Sequence, residues 1–219
     1  NYYWLNDREN PKVIDYLKAE NAYLDTIMAP QKELRTQLYD EMKSRIKETD
    51  MTVPYLKNGF YYYTRYEEGK EYPIYCRKKG SLEAAEQIIL NVNELAAGHA
   101  YCSVDSVNVS PDTKLLAYAI DTVSRRRYTI KIKNLETNEL LPDAIVDAAP
   151  GSAWANDNKT LFYVQKDTTT LRANRIMRHE LGKPADKEMF KENDEAFAVE
   201  IRRTKSGQYI VINSESTLS

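Results

Sequence analysis

The sequence predicts a mainly β protein with N-terminal helices: a partial β-propeller of about three to four four-stranded antiparallel blades, preceded by two helices. Three observations carry that expectation. Up to Asp50 the apolar residues fall at helical spacing; beyond Val53-Pro54 they alternate with a period of two; and part of the alternating region recurs at a constant offset of 45 residues. The expected division is a helical extension over 1–52 and an incomplete propeller over 53–219.

Asn10 before Pro11 reads as a helix start, since Asn is a good N-cap and proline loses nothing at the first helical position. Val13, Leu17, Leu24 and Met28 then recur at helical spacing until Pro30 breaks the run. Leu34, Leu38, Met42 and Ile46 define a second amphipathic helix, expected to end near Thr49-Asp50.

After Pro54, "FYYYTRY" and "EYPIYCR" flank the turn Glu67-Glu68-Gly69-Lys70, where Gly69 can take a positive φ. That is a hairpin, with Phe60 and Tyr62 on one face and Tyr61 and Tyr63 on the other. "IILNV" (88–92) follows as a strand, then a polar link containing Gly98. Tyr128, Ile130 and Ile132 alternate with Thr129, Lys131 and Lys133, the mark of a strand with one buried face.

The repeat sets "WANDNKTLFYVQKD" over "VSPDTKLLAYAIDT": Asp112 matches Asp157, Lys114 matches Lys159, Leu116 matches Leu161 and Tyr118 matches Tyr163. A further copy starts at "RTKSGQYIVIN", and "YLKNGFYYYTR" is a diverged earlier one. A period of about 40–50 residues with four short strands is that of a propeller blade. The alternative is a β-sandwich with accidental similarity. An incomplete ring exposes strand edges, so self-association through open blade edges is expected.

Composition narrows the partners. Lys+Arg 31 against Asp+Glu 33 gives a net charge of -2, which argues against nucleic acid and anionic membrane surfaces. Arg125-Arg126-Arg127 and Arg202-Arg203 read as solvated turn or strand-edge charges. Cys76 and Cys102 form no framework, which fits a reducing compartment. No apolar run approaches membrane length, and no signal peptide opens the chain. The expected localisation is cytoplasmic, with a periplasmic one left open because the chain opens on Asn1 and its N-terminus reads as missing. The ending "SESTLS" likewise reads as a cut.

Catalytic signatures are missing from the sequence. Its seven glycines never bracket a serine as GxSxG, and neither GxxxxGK[ST] nor GxGxxG occurs. His179 in "HEL" lacks the second histidine of a zinc helix and reads as a strand or turn residue; His99 reads as a loop residue. Glu67-Glu68 and Asp194-Glu195 sit in turn-like sequence, and "NDNKT" (156–160) lacks the glycine and distal Glu of a calcium loop. The sequons at Asn108 and Asn158 abut repeat turns. The expectation is no catalytic residue, no metal ligand and no cofactor in this chain, with substrate-binding residues unassigned.

The order of these pieces resembles the oligopeptidase B (protease II) branch of the prolyl oligopeptidase family of serine peptidases. The resemblance is carried by "YWLNDRENPKVIDYLKAENAYLDTIMAP" (3–30), "GFYYYTRYEEGKEYPIYCRK" (59–78), "SPDTKLLAYAIDT" with "RRYTIKIKNLETNELL" (110–141), "WANDNKTLFYVQKD" with "LRANRIMRHELG" (154–182), and "NDEAFAVEIRRTKSGQYIVINSES" (193–216). It spans essentially the whole chain. Ala173-Asn174 departs from it, where relatives often carry proline after the "LR" pair. The resemblance implies a propeller gating access to a Ser, His and Asp triad in an α/β-hydrolase domain beyond Ser219, which would be the main partner of this chain. It implies short peptides as substrates, cleaved after Arg or Lys. None of the triad residues maps onto these positions. The competing reading is a stand-alone propeller serving as an interaction scaffold; an aromatic nucleic-acid platform is disfavoured by charge.

Overall fold

The computed structural model describes residues 2–217. Asn1, Leu218 and Ser219, at the two ends read as cut, lie outside the described residues. The chain forms two compact units, Asn1–Glu48 and Thr49–Ser219.

In the first unit a 3-10 turn (Tyr3–Asn6) precedes helix α1 (Pro11–Met28). The Asn10 side chain accepts the Lys12 N–H at 3.0 Å, so the cap forms as its sequence requires. Pro30 sits in a second 3-10 turn (Ala29–Gln31), after which α2 runs over Lys32–Ser44. The second helix therefore stops short of Thr49-Asp50. Arg45 and Ile46 donate to Met42 and Lys43, three residues back, and the Ser44 hydroxyl donates to the Glu41 carbonyl. Those bonds tighten the last turn and end the helical ladder.

The second unit is built of antiparallel strands. β1 (Tyr55–Lys57), β2 (Phe60–Arg65), β3 (Ile74–Lys79) and β4 (Glu86–Asn91) form a four-stranded sheet in that order. β1 turns into β2 through Asn58-Gly59, both at positive φ (48° and 79°), a two-residue turn whose twist suits a hairpin. Gly69 takes the positive φ expected of it in the β2–β3 connection. β3 begins at Ile74 and not at Glu71, because Asn93 engages the Tyr72 backbone on both sides and Pro73 has no N–H to give. The link after β4 holds a short helix, α3 (Val92–Ala96), which takes Val92 from the strand expected over 88–92; the Asn91 side chain caps it.

β5 (Ser103–Val109), β6 (Leu115–Asp121), β7 (Tyr128–Asn134), β8 (Leu140–Trp154), β9 (Thr160–Lys166), β10 (Ala173–Glu180) and β11 (Lys187–Lys191) form one seven-stranded sheet. β8 is long enough to serve twice. Its first half pairs with β7 and its second with β9, the ladder shifting between Ala148 and Ser152. The sheet is thus two consecutive blades joined through β8. β12 (Phe197–Arg203) and β13 (Ile210–Ser216) pair as the start of another. Three four-stranded blades and a half follow one another: a partial propeller.

The cores lie between blades. Tyr62, Leu90, Leu116, Tyr118 and Leu135 seal the first blade against the second. Ala117, Ile130, Ile145, Trp154, Leu161 and Tyr163 seal the second against the third. Ala149, Val164, Ile176, Val199 and Ile201 seal the third against β12. Phe60 packs beside Tyr62 in the first seam, whereas Tyr63 joins Ile74 and Cys76 in a separate cluster. The tyrosine run is therefore split between two faces, as its alternation requires.

Candidate functional site

The hairpin turns at the start of each repeat hold its matched aspartates. Asp112 Oδ1 accepts the Ser110 hydroxyl at 2.6 Å and the Lys114 N–H at 3.1 Å. Asp157 accepts the N–H groups of Lys159 and Thr160 and the Thr160 hydroxyl. Partial burial works against its charge, but those donors outweigh it and hold its pKa below the ordinary aspartate value. The "NDNKT" segment is a turn with its carboxylate committed to the backbone. Asn158, at the tip, also accepts the Asp112 N–H at 2.9 Å and so links the turns of two neighbouring blades.

Several of the other singled-out residues have structural partners too. Glu67 pairs with Arg65, which also reaches Glu86; Asp194 accepts the Ala196 N–H. Asp121, almost wholly buried, accepts the N–H groups of Val123, Arg125 and Arg126 and so shapes the arginine-bearing turn between β6 and β7. Arg127 pairs with Asp147. Arg203 donates to the carbonyls of Trp154 and Gly207. Cys76 and Cys102 are buried thiols, and burial, with the Glu86 charge, pushes the Cys76 pKa up to about 12. A thiol so held is not a nucleophile near neutral pH. Asn108 donates to the Ser152 carbonyl at 3.1 Å.

His99 lies exposed in the link after α3. His179 is different. It sits on β10 opposite Leu161 of β9, with its imidazole in the seam between the second and third blades. Nδ1 is 2.7 Å from Asp186 Oδ1 and Nε2 is 2.9 Å from Asp143 Oδ1. Asp143 lies on the first half of β8, in the second blade; Asp186 lies in the turn between β10 and β11, in the third. Asp143 also accepts the Gly182 N–H at 2.7 Å, and Asp186 accepts the Tyr163 hydroxyl at 2.6 Å. A cavity of about 470 Å³ opens beside this group, lined also by Lys183 and Gln165. Burial disfavours an imidazolium here, but the bonds to Asp186 and Asp143 outweigh it and raise the His179 pKa above the ordinary histidine value.

From the sequence His179 reads as a strand or turn residue, and the structure puts it on a strand; both carboxylates and Tyr163 were missed as its surroundings. The one pointer was the repeat, which matched Leu161 and Tyr163 to Leu116 and Tyr118. Neither histidine is hydrogen-bonded to a serine or cysteine among the described residues. Nor does any cluster of three His, Cys, Asp or Glu side chains there have the geometry to hold a metal ion. No helix among the described residues is long and apolar enough to cross a membrane.

Four-stranded blades stacked face to face, with polar groups given to turns and seams, define a β-propeller domain. The chain belongs to the prolyl oligopeptidase family, matching its N-terminal β-propeller domain over residues 1–219. It is 46% identical to dipeptidyl aminopeptidase BI of Pseudoxanthomonas mexicana over 100% of this chain and 33% of that protein. Protease 2 of Moraxella lacunata is 37% identical over 98% of this chain and 32% of its own length. The structure of oligopeptidase B from Leishmania major superposes with a TM-score of 0.92 at 34% identity, covering 98% of this chain and 31% of that one. The chain therefore spans about a third of the length of the relatives it matches.

Proposed function

We propose that this chain is the helical extension and first blades of a serine oligopeptidase that hydrolyses short peptides after Arg or Lys. Its propeller gates access to a Ser, His and Asp site in an α/β-hydrolase domain C-terminal to these residues. The observation that carries the reading is the match to protease 2 and to oligopeptidase B over nearly the whole chain, at 37% and 34% identity. Physically, a ring of stacked blades admits a narrow, flexible peptide and rejects a folded protein. No residue of this chain performs the bond-breaking step in this reading.

A second reading is favoured by one observation. The relative at 46% identity is a dipeptidyl aminopeptidase, which points to release of dipeptides from a free amino end. Chromogenic substrates separate the two. The longer protein carrying this chain should cleave amino-blocked Arg and Lys substrates and lose that activity to a serine-directed inhibitor. Cleavage of only unblocked dipeptide substrates favours the second reading, and turnover by the 219-residue chain alone overturns the placement of the catalytic groups.

Self-association is part of the same proposal. β13 pairs with β12 alone among the described residues, so its other edge offers N–H and C=O groups to a further strand. On size-exclusion chromatography the isolated chain should elute larger than a monomer as concentration rises; a monomer at every concentration rules this out.

A further inference from the structure

The geometry around His179 points to a proton-operated clamp: we propose that its imidazolium fastens the second blade to the third, and that loss of the proton opens one of the two links. The argument rests on donors and acceptors. An ionised carboxylate only accepts hydrogen bonds, and a neutral imidazole has one N–H and one lone pair. With Asp186 at 2.7 Å from Nδ1 and Asp143 at 2.9 Å from Nε2, both bonds need both nitrogens protonated.

Both aspartates accept a second donor. The Tyr163 hydroxyl donates to Asp186, and the Gly182 N–H donates to Asp143, where a donor pointed at the carboxylate favours its charged form. Burial raises the pKa of Asp143, but the Gly182 bond and His179 outweigh it and leave the value below that of an ordinary aspartate. The other titratable group lining the cavity is Lys183, and the neighbouring strand charges, Arg178 and Glu180, pair with each other at 3.6 Å.

The pH window follows from the signs. A histidine bound more tightly to its proton in the folded chain stabilises it fully below the unfolded-state pKa; that stabilisation is lost as pH rises through the folded-state value. The Asp143 contribution runs the other way. It is present above the ordinary aspartate pKa and lost as pH falls through the lowered folded value. The clamp is closed between those two limits. Above the upper one a lone pair faces a carboxylate. If Nε2 has lost the proton, the link between blades is the one that opens.

The test needs no variant to begin. The chain has two histidines, and His99 is exposed, so each serves as the other's reference in an imidazole nitrogen NMR titration of the full chain. Both His179 nitrogens should be protonated at neutral pH, with a midpoint above that of His99, and Asp143→Asn should lower that midpoint. A single neutral tautomer at neutral pH, or a midpoint at or below that of His99, overturns the proposal. Amide hydrogen exchange on the same chain reads the consequence. After correction for intrinsic rates, residues 140–148 of β8 should lose protection as pH passes the His179 midpoint. Unchanged protection there would show a histidine that titrates without clamping anything.

Discussion

The two seams that flank the second blade are built on the same frame and filled with different chemistry. Leu116 and Tyr118 of β6 line the first; Leu161 and Tyr163 of β9 line the second, and all four are essentially inaccessible. Each leucine stands opposite a basic residue on the next strand: Lys133 opposite Leu116, His179 opposite Leu161. Each of those residues reaches back into the preceding blade. His179 finds Asp143; among the described residues Lys133 donates only to the carbonyl of Ile89, at 3.3 Å, the residue skipped where the β3–β4 ladder shifts register. Burial lowers the Lys133 pKa, with Glu94 offsetting part of the effect, while the two aspartates raise that of His179. The slot is the same. What the preceding blade offers decides whether a charge there is favoured or merely tolerated.

Replacing the two basic residues is the strongest way to break that comparison. His179→Gln replaces an imidazolium that gives a charged N–H to each of Asp143 and Asp186 with one neutral amide, and Asp143, whose side chain is 7% exposed, keeps only the Gly182 N–H. Removing one partner of a buried ion pair costs about 3–5 kcal/mol. Lys133→Met strands only a neutral carbonyl and keeps an apolar stem, so about 1–2 kcal/mol is expected. Urea unfolding midpoints of the two variants at neutral pH check the order. Equal losses would mean that the slot is steric and its charge incidental.

What the sequence made legible is what repeats. Asp112 and Asp157, Leu116 and Leu161, Tyr118 and Tyr163 were matched by their offset alone, and each pair occupies equivalent turns or seams. The start of α1 was legible because its cap is local: Asn10 bonds two residues away. The end of α2 was not, because its helical spacing continues to Ile46 while the backbone has already closed at Ser44. Nor was the start of β3, since Asn93 reaches Tyr72 from a helix the alternation did not reveal. The His179 group was illegible for the same physical reason. Asp143 meets it only because two blades stack face to face, and neither "LPDA" nor "KPADKE" carries a local mark of that contact. Period and caps are written along the chain; the partners of a buried charge are set by tertiary packing.

The two tyrosines sharpen the comparison at a smaller scale. Both tyrosines are buried, and burial raises the pKa of each. For Tyr118 it reaches about 12, with Cys102 adding to it, while at Tyr163 the bond to Asp186 adds to the effect. The Tyr163 hydroxyl donates to Asp186 at 2.6 Å, and the Tyr118 hydroxyl has no hydrogen-bond partner among the described residues. Tyr163→Phe therefore takes a donor from a carboxylate already holding His179 and should cost about 1–2 kcal/mol. Tyr118→Phe removes an oxygen that gains nothing from burial, so stability should change by less than about 0.5 kcal/mol, in either direction. The same urea midpoints measure both. Because aromatic packing is preserved in each variant, a difference between them isolates the polar network of the second seam from the shape of the slot. If the two tyrosines prove equivalent, the Asp186 bond contributes nothing net, and the contrast between the seams rests on His179 and Asp143 alone.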